Sequence, residues 1–233
     1  MNYSKLTPRT CVVGIDATYF GKDLGLIIFK DLTNNVVLHW MFVRHENIFA
    51  SAKGIEYIKK QGIIPIGYVV DGTWGFFVRY GSSENIQMCL MHMKNLVKRY
   101  ITSKPKLKAG KELKEIIDKL SYIKERDFNR EYGFWLKQYK DFLKERTCDR
   151  DGNSIYTHQR LRSAVNSINK YKPYLFTYQK NTRLPATNNS VEGTNSGLKG
   201  FLKVHQGLRP DRKVKLIHYY LKEKSKFEWG LQK

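Results

Sequence analysis

Three apolar runs open the chain: "CVVGIDATYF" from residue 11, "LGLIIFKD" from 24 and "NVVLHWMFV" from 35. Their β-branched and aromatic content, with turn chemistry at Gly21-Lys22 and Asn34-Asn35, predicts three strands in an antiparallel meander. At Ile48 the period changes. Ile48, Ala52, Ile55 and Ile58 share one helical face, and the pattern stops at Gly62. "IPIGYVVDG" then reads as a buried strand. A helix between two strands of one sheet makes a right-handed crossover, so the strand at 64–70 is expected to run parallel to one of the first three. The sheet is therefore mixed, with a further short strand near "NIQMCL".

From His92 onward no strand is expected. Residues 93–180 read as helices, because "KELKEIIDKLSYI" and "YGFWLKQYKDFLKER" space their apolar residues by three and four. "DRDGNS" at 149–154 breaks this block, and "YQKNTRLPATNN" at 178–189 forms a loop before a helix that carries Glu192.

Charge changes the picture. The 233 residues hold 42 Lys and Arg against 21 Asp and Glu, a formal net charge of +21. Residues 1–92 hold nine basic against seven acidic residues, and residues 93–233 hold 33 against 14. Such a field selects polyanions, and nucleic acid above all, since cations that neutralise phosphates release condensed counterions. No apolar run has the length of a membrane span and the start has no signal-peptide core, so an intracellular, cytoplasmic protein associated with DNA is expected, with no membrane partner. Cys11, Cys89 and Cys148 are too few and scattered for a disulfide framework and are expected to be reduced thiols.

Three carboxylates carry the candidate chemistry. Asp16 near the end of the first strand and Asp71 at the end of the parallel strand emerge at one sheet edge if those strands are neighbours. Two such groups repel unless a cation neutralises them, and hard oxygen ligands suit Mg²⁺ or Mn²⁺. Glu192 is the lone acid between Asp151 and Asp211, among nine Lys or Arg, and is the candidate third ligand of a two-ion site. Each has a plainer reading: Asp16 closes a strand, Asp71-Gly72 is a turn dipeptide, and Asn189-Ser190-Val191-Glu192 fits a capping box.

"VVGIDATYF", "VVDGTWGFF", "CLMHMKNLVKRY" and "TNNSVEGTNSGLKGFLKVHQGL" together resemble the catalytic core of DDE transposases of the Mutator-like superfamily and its bacterial insertion-sequence relatives. The marks are Asp-Gly-x-x-Gly at Asp71–Gly75, Cys-x-x-His at Cys89–His92 and Asn-x-x-Glu before Glu192. The resemblance implies an α/β fold: a ribonuclease H-like mixed sheet with flanking helices and an all-helical insertion between the second Asp and the Glu. It divides the chain into a first core part at 10–103, a helical insertion at 104–180, and a final core part at 181–233 with the Glu helix and a basic C-terminal helix.

By that likeness Asp16, Asp71 and Glu192 are the catalytic, metal-binding triad for two Mg²⁺ or Mn²⁺ ions. The implied activity is DNA strand cleavage and strand transfer, by a homo-oligomer acting on element ends and target DNA. The alternatives are a ribonuclease H-like nuclease that only hydrolyses and a transposase-derived DNA-binding protein without activity. Arg183, Asn195, Ser196, Lys199 and Lys203 are candidate DNA contacts, the last four on the helix of Glu192. The Lys runs at 104–114 and 209–226 are candidate phosphate tracks. Cys89 and His92 are candidate supports of the active site. The other readings of this pair are simple packing, or half of a zinc site completed by Cys148 and His158. Trp74 is expected to pack the core with Phe76, or to stack on a flipped base.

Overall fold

A strand buried along its whole length has to be covered on both faces, and Gly25–Asp31 (β2) is such a strand. In the computed structural model, which describes residues 9–82, 85–205 and 207–225, β2 lies between Arg9–Tyr19 (β1) and Val36–Val43 (β3), antiparallel to both. Helix α1 (Ile48–Lys60) leads into Ile63–Val70 (β4), which pairs with β1 in parallel, as its crossover requires. After the short helix α2 (Trp74–Tyr80), Ile86–Met88 (β5) completes a five-stranded sheet of order β3-β2-β1-β4-β5. This order, with β1 antiparallel to β2 and parallel to β4, is that of a ribonuclease H-like fold.

The described residues form two compact units. One holds those up to Gln87 and from Arg183 onward, the other Met88–Thr182. Within the second, α3 (Leu90–Ile101) packs on α4 (Lys108–Asp118), α4 packs on α5 (Glu125–Gln138), and α6 (Gln159–Tyr171) packs on α3, with the single-turn α7 (Thr177–Lys180) following. The first unit ends with α8 (Asn189–Val204) and α9 (Pro210–Ser225). Of the expected phosphate track at 209–226, Lys226 lies outside the described residues.

Alternate residues of β2 explain how the sheet is covered. Leu26 and Ile28 join Val191, Leu198 and Leu202 of α8 and Ile217 and Leu221 of α9 in one buried cluster. Phe29 points the other way, onto α1, where a Cβ on Gly54 would lie 2.1 Å from its ring. Lys30 breaks the apolar run on the α8 side. Its ammonium donates to the Ser190 carbonyl at 3.0 Å and to Thr194 Oγ1 at 2.8 Å, both neutral. Burial, reinforced by Lys224, holds Lys30 below its ordinary value. The turn into β3 is closed by Asp31, which accepts from the Thr33 and Asn34 amides at 2.8 and 3.0 Å and pairs with Arg9.

The expectation of an all-helical insertion is corrected at one place. Arg146–Cys148 (β6) and Ser154–Tyr156 (β7) form a two-stranded antiparallel ribbon around "DRDGN". Asp149 Oδ1 caps that turn by accepting from the Asp151 and Asn153 amides. Five of the six ribbon residues are exposed, so the strands carry no alternating burial for a pattern to register.

Burial sets the reactivity of the thiols and a pH dependence of stability. Cys11 and Cys89 are buried and Cys148 is exposed, all as free thiols, and burial together with Asp31 pushes the Cys11 thiol up to about 12. A chromogenic disulfide reagent should titrate one fast thiol in the native protein, lost in Cys148→Ser, and three after denaturation. The pH dependence comes from Lys30. Between its lowered folded value and its ordinary 10.5 the unfolded chain holds the proton and the folded chain does not. Wild-type stability should therefore gain on that of Lys30→Met as pH rises through that window, read by chemical denaturation.

Candidate active site: a carboxylate edge met by one helix

The parallel ladder between β1 and β4 ends at the pair Ile15 and Val70, and an aspartate follows each; β4 stops there, whereas β1 continues beside β2 to Tyr19. Asp16, still inside β1, and Asp71, just past the end of β4, thus stand side by side where the parallel ladder stops, with carboxylate oxygens within 4.8 Å of each other. Asp16 is buried and Asp71 half-buried. Gly72 follows with φ of +128°, a conformation that other residues adopt only under strain, and turns the chain sharply away from the edge. Thr73 holds that turn by donating to Glu46 Oε1 at 2.7 Å.

Helix α8 reaches the same edge through its first two turns. A Cβ on Gly14 would come within 2.5 Å of Asn188 Oδ1 and 2.7 Å of Val191 Cγ2, so the approach of α8 to β1 depends on that glycine. Asn188 Nδ2 donates to the Ile15 carbonyl at 2.9 Å, and Asn195 Nδ2 donates to Asp16 Oδ2 at 2.7 Å. Glu192 precedes Asn195 by three positions on this helix and is half-buried. The capping-box alternative does not match the helix found. The cap residue is Asn188, its side chain makes no capping bond, and Glu192 stands at the fourth helical position, one beyond the box.

The edge is rich in oxygen donors. Asn195 Oδ1 and Thr18 Oγ1 are buried and lack hydrogen-bond partners among the described residues, and Thr18 shares the strand face of Asp16. Two close carboxylates with unpartnered neutral oxygens nearby fit a hard divalent cation such as Mg²⁺ or Mn²⁺. Asp16, Asp71 and Glu192 do not all fall within 4.8 Å of one another.

The remaining candidates divide by exposure. Ser196, Lys199 and Lys203 are exposed on α8, and Arg183 is exposed ahead of it, whereas Asn195 is buried against Asp16. Trp74 is more exposed than core packing requires, at 38%, and stacks on Phe77, while Phe76 is in the core. Cys89 and His92, at the start of α3, bring their sulfur and a ring nitrogen within 4.8 Å of each other. Among the described residues no metal-capable group includes Cys148 or His158, so the four-ligand zinc alternative finds no site. His158 instead meets Glu145 at 2.9 Å and stacks on Phe142. Sequence reasoning passed over Asn188, Gly14 and Lys30. For the last two the signal was a glycine and a lysine inside apolar strands.

This fold class includes ribonuclease H-like nucleases and transposases. Residues 52–194, more than half of the chain, match the Transposase IS66 family, and the chain belongs to it. That family differs from the Mutator-like superfamily which the motifs resemble. An Asp-Gly at a strand end and an Asn-x-x-Glu at a helix start are short patterns tied to local turns, and they do not separate one transposase family from another. Asp71 and Glu192 fall inside the matched span and Asp16 before it. No curated protein matches the chain.

Asn195→Ala should cost about 1.5–3 kcal/mol in urea unfolding, the usual loss for a hydrogen bond to a charged group. Asn195→Asp should cost more, because it sets a second anion against Asp16.

Proposed function

We propose that this transposase cuts and joins DNA at a centre formed by Asp16, Asp71 and Glu192, which would hold two Mg²⁺ or Mn²⁺ ions. The observation that carries the reading is the meeting of Asp16 and Asp71 at the carboxyl edge of β1 and β4, with the Glu192 helix bonded to Asp16 through Asn195. When bound, such ions supply a water acidified toward neutral pH and neutralise charge on the phosphate under attack. The chain's own part is position. Asn195 fixes one oxygen of Asp16 beside Asp71. Asn188 and Lys30 hold the first turns of α8 so that Glu192 stays at the edge. Lys199 and Lys203, exposed further along α8, hold backbone phosphates leading to the cut.

No side chain here needs to act as a nucleophile. A water cuts one strand and leaves a 3′-hydroxyl, and the same centre then aligns that hydroxyl with a target phosphodiester for in-line attack. Element ends and target DNA, held by a homo-oligomer, belong to this proposal.

The test is nicking and strand transfer on linear DNA carrying candidate element ends, with Mg²⁺ or Mn²⁺. Asp16→Asn, Asp71→Asn and Glu192→Gln should each lower both reactions by about a hundredfold or more, roughly 2.7 kcal/mol of the barrier, while DNA binding persists. Cleavage without joining by wild type would make the chain a nuclease. Binding with neither reaction would make it an inactive DNA-binding relative.

A further inference from the structure

Within Met88–Thr182 every Asp and Glu falls between Glu112 and Asp151. The flanking stretches, Met88–Lys111 and Gly152–Thr182, carry seven and five Lys or Arg and no acid. The fold sets these two stretches side by side, because α3 packs on α6. Acids elsewhere in the unit neutralise part of the excess: Lys98 pairs with Asp118 and Lys180 with Glu125. Arg99, Lys104, Lys106 and Arg160 are exposed, and among the described residues none has a carboxylate at ion-pair distance.

These four cations surround two adjoining grooves. One, of about 310 Å³, is lined by Tyr100, Lys104, Lys106 and Arg160. The other, of about 450 Å³, is lined by Arg99, Tyr100, Arg160 and Ser163. Tyr100 and Arg160 line both, and the Arg160 guanidinium donates to the Arg99 carbonyl at 3.3 Å, so the two arginines are held together without an acid between them. The loop that carries the lysines is pinned. Thr102 reverses the chain at φ of +70°, and Pro105 rests on the first turn of α4, 3.0 Å from where a Cβ on Gly110 would be. The positive end of α6 adds to the same field.

We infer that this surface is a second DNA-binding site, one that takes consecutive backbone phosphates of a duplex between Arg99, Lys104, Lys106 and Arg160, none of which belongs to the carboxylate edge. It rests on the reading of DNA as the substrate. Like charges gathered without counter-ions repel, and a polyanion relieves that repulsion while releasing its own condensed cations. A row of phosphates suits two joined grooves better than a single small anion does.

The test is duplex binding by fluorescence anisotropy over a NaCl series, without divalent metal. In Arg99→Gln/Lys104→Gln/Lys106→Gln/Arg160→Gln the slope of log K against log salt should shrink by about three to four, near one for each phosphate no longer neutralised. Lys104→Gln/Lys106→Gln alone, at exposed side chains that leave the fold intact, should shrink it by about two. Lys137→Gln/Lys140→Gln, also exposed in this unit, should leave it unchanged. Equal losses in the two double variants would reduce the effect to bulk charge and overturn the site, as would an unchanged slope in the quadruple variant. Binding of the surface to anionic lipid vesicles but not to duplex would overturn it in favour of a membrane. Failure of wild type to bind DNA at all would overturn both this site and the proposed function, whereas loss of nicking with the salt slopes as expected would overturn only the latter.

Discussion

Much of the candidate site depends on how closely one helix approaches one strand. The amide of Asn195 can donate to Asp16 only because α8 comes within side-chain contact of β1, and that approach depends on Gly14, where a methyl group would collide with Asn188, Leu32 and Val191 at once. Asn188 uses the same closeness to reach the Ile15 carbonyl at the last pair of the parallel ladder. A glycine in a strand normally weakens it. Here the loss is offset by the docking of a helix whose apolar face completes the core with Leu26 and Ile28. One missing side chain thus links the packing of the fold to the composition of the site.

A second constraint is electrostatic. Lys30 lies under the first turns of α8 with only a carbonyl and a hydroxyl as partners, which costs stability relative to an apolar residue of similar shape. Its bond to the Ser190 carbonyl fixes the start of the helix two residues ahead of Glu192. In the proposed site that bond sets the depth at which the third carboxylate is delivered. The arrangement exchanges some stability for position, as functional sites commonly do.

Most of the sheet was legible in the sequence because its signals are local and repeated. The meander, the helix at 48–60 and the parallel strand before Asp71 follow from periodicity, turn residues and the handedness of the crossover. The nearness of Asp16 to Asp71 was legible for the same reason, since it needs only a parallel register between neighbouring strands, although β1 runs three residues beyond Asp16. What could not be read was anything that depends on burial without a period. The ribbon at 146–156 is exposed and patternless. Asn195 looked like a surface residue three positions after Glu192, because nothing in the sequence says which face of α8 meets β1. Lys30 and Gly14 appeared only as interruptions in apolar runs, and their meaning lies in the helix opposite them. The motifs around Asp71 and Glu192 indicated a transposase but pointed to the wrong family, since they encode turns common to related folds.

The lone acid of the basic stretch lies in a field of two ranges. At distances beyond about 10 Å, the Debye length at moderate salt, separate charges are screened and the excess of +21 acts as a general attraction for polyanions. Closer in, a phosphate nearing the proposed centre meets three carboxylates, Asp16, Asp71 and Glu192. A basic chain with an acidic centre would hold DNA readily and still oppose its scissile phosphate until divalent ions entered. In the proposed mechanism this opposition is useful. It separates binding from cutting, so that the same surface can hold DNA while the centre waits for metal, and it gives the one carboxylate between Asp151 and Asp211 a role that neither a helix cap nor a surface charge would need.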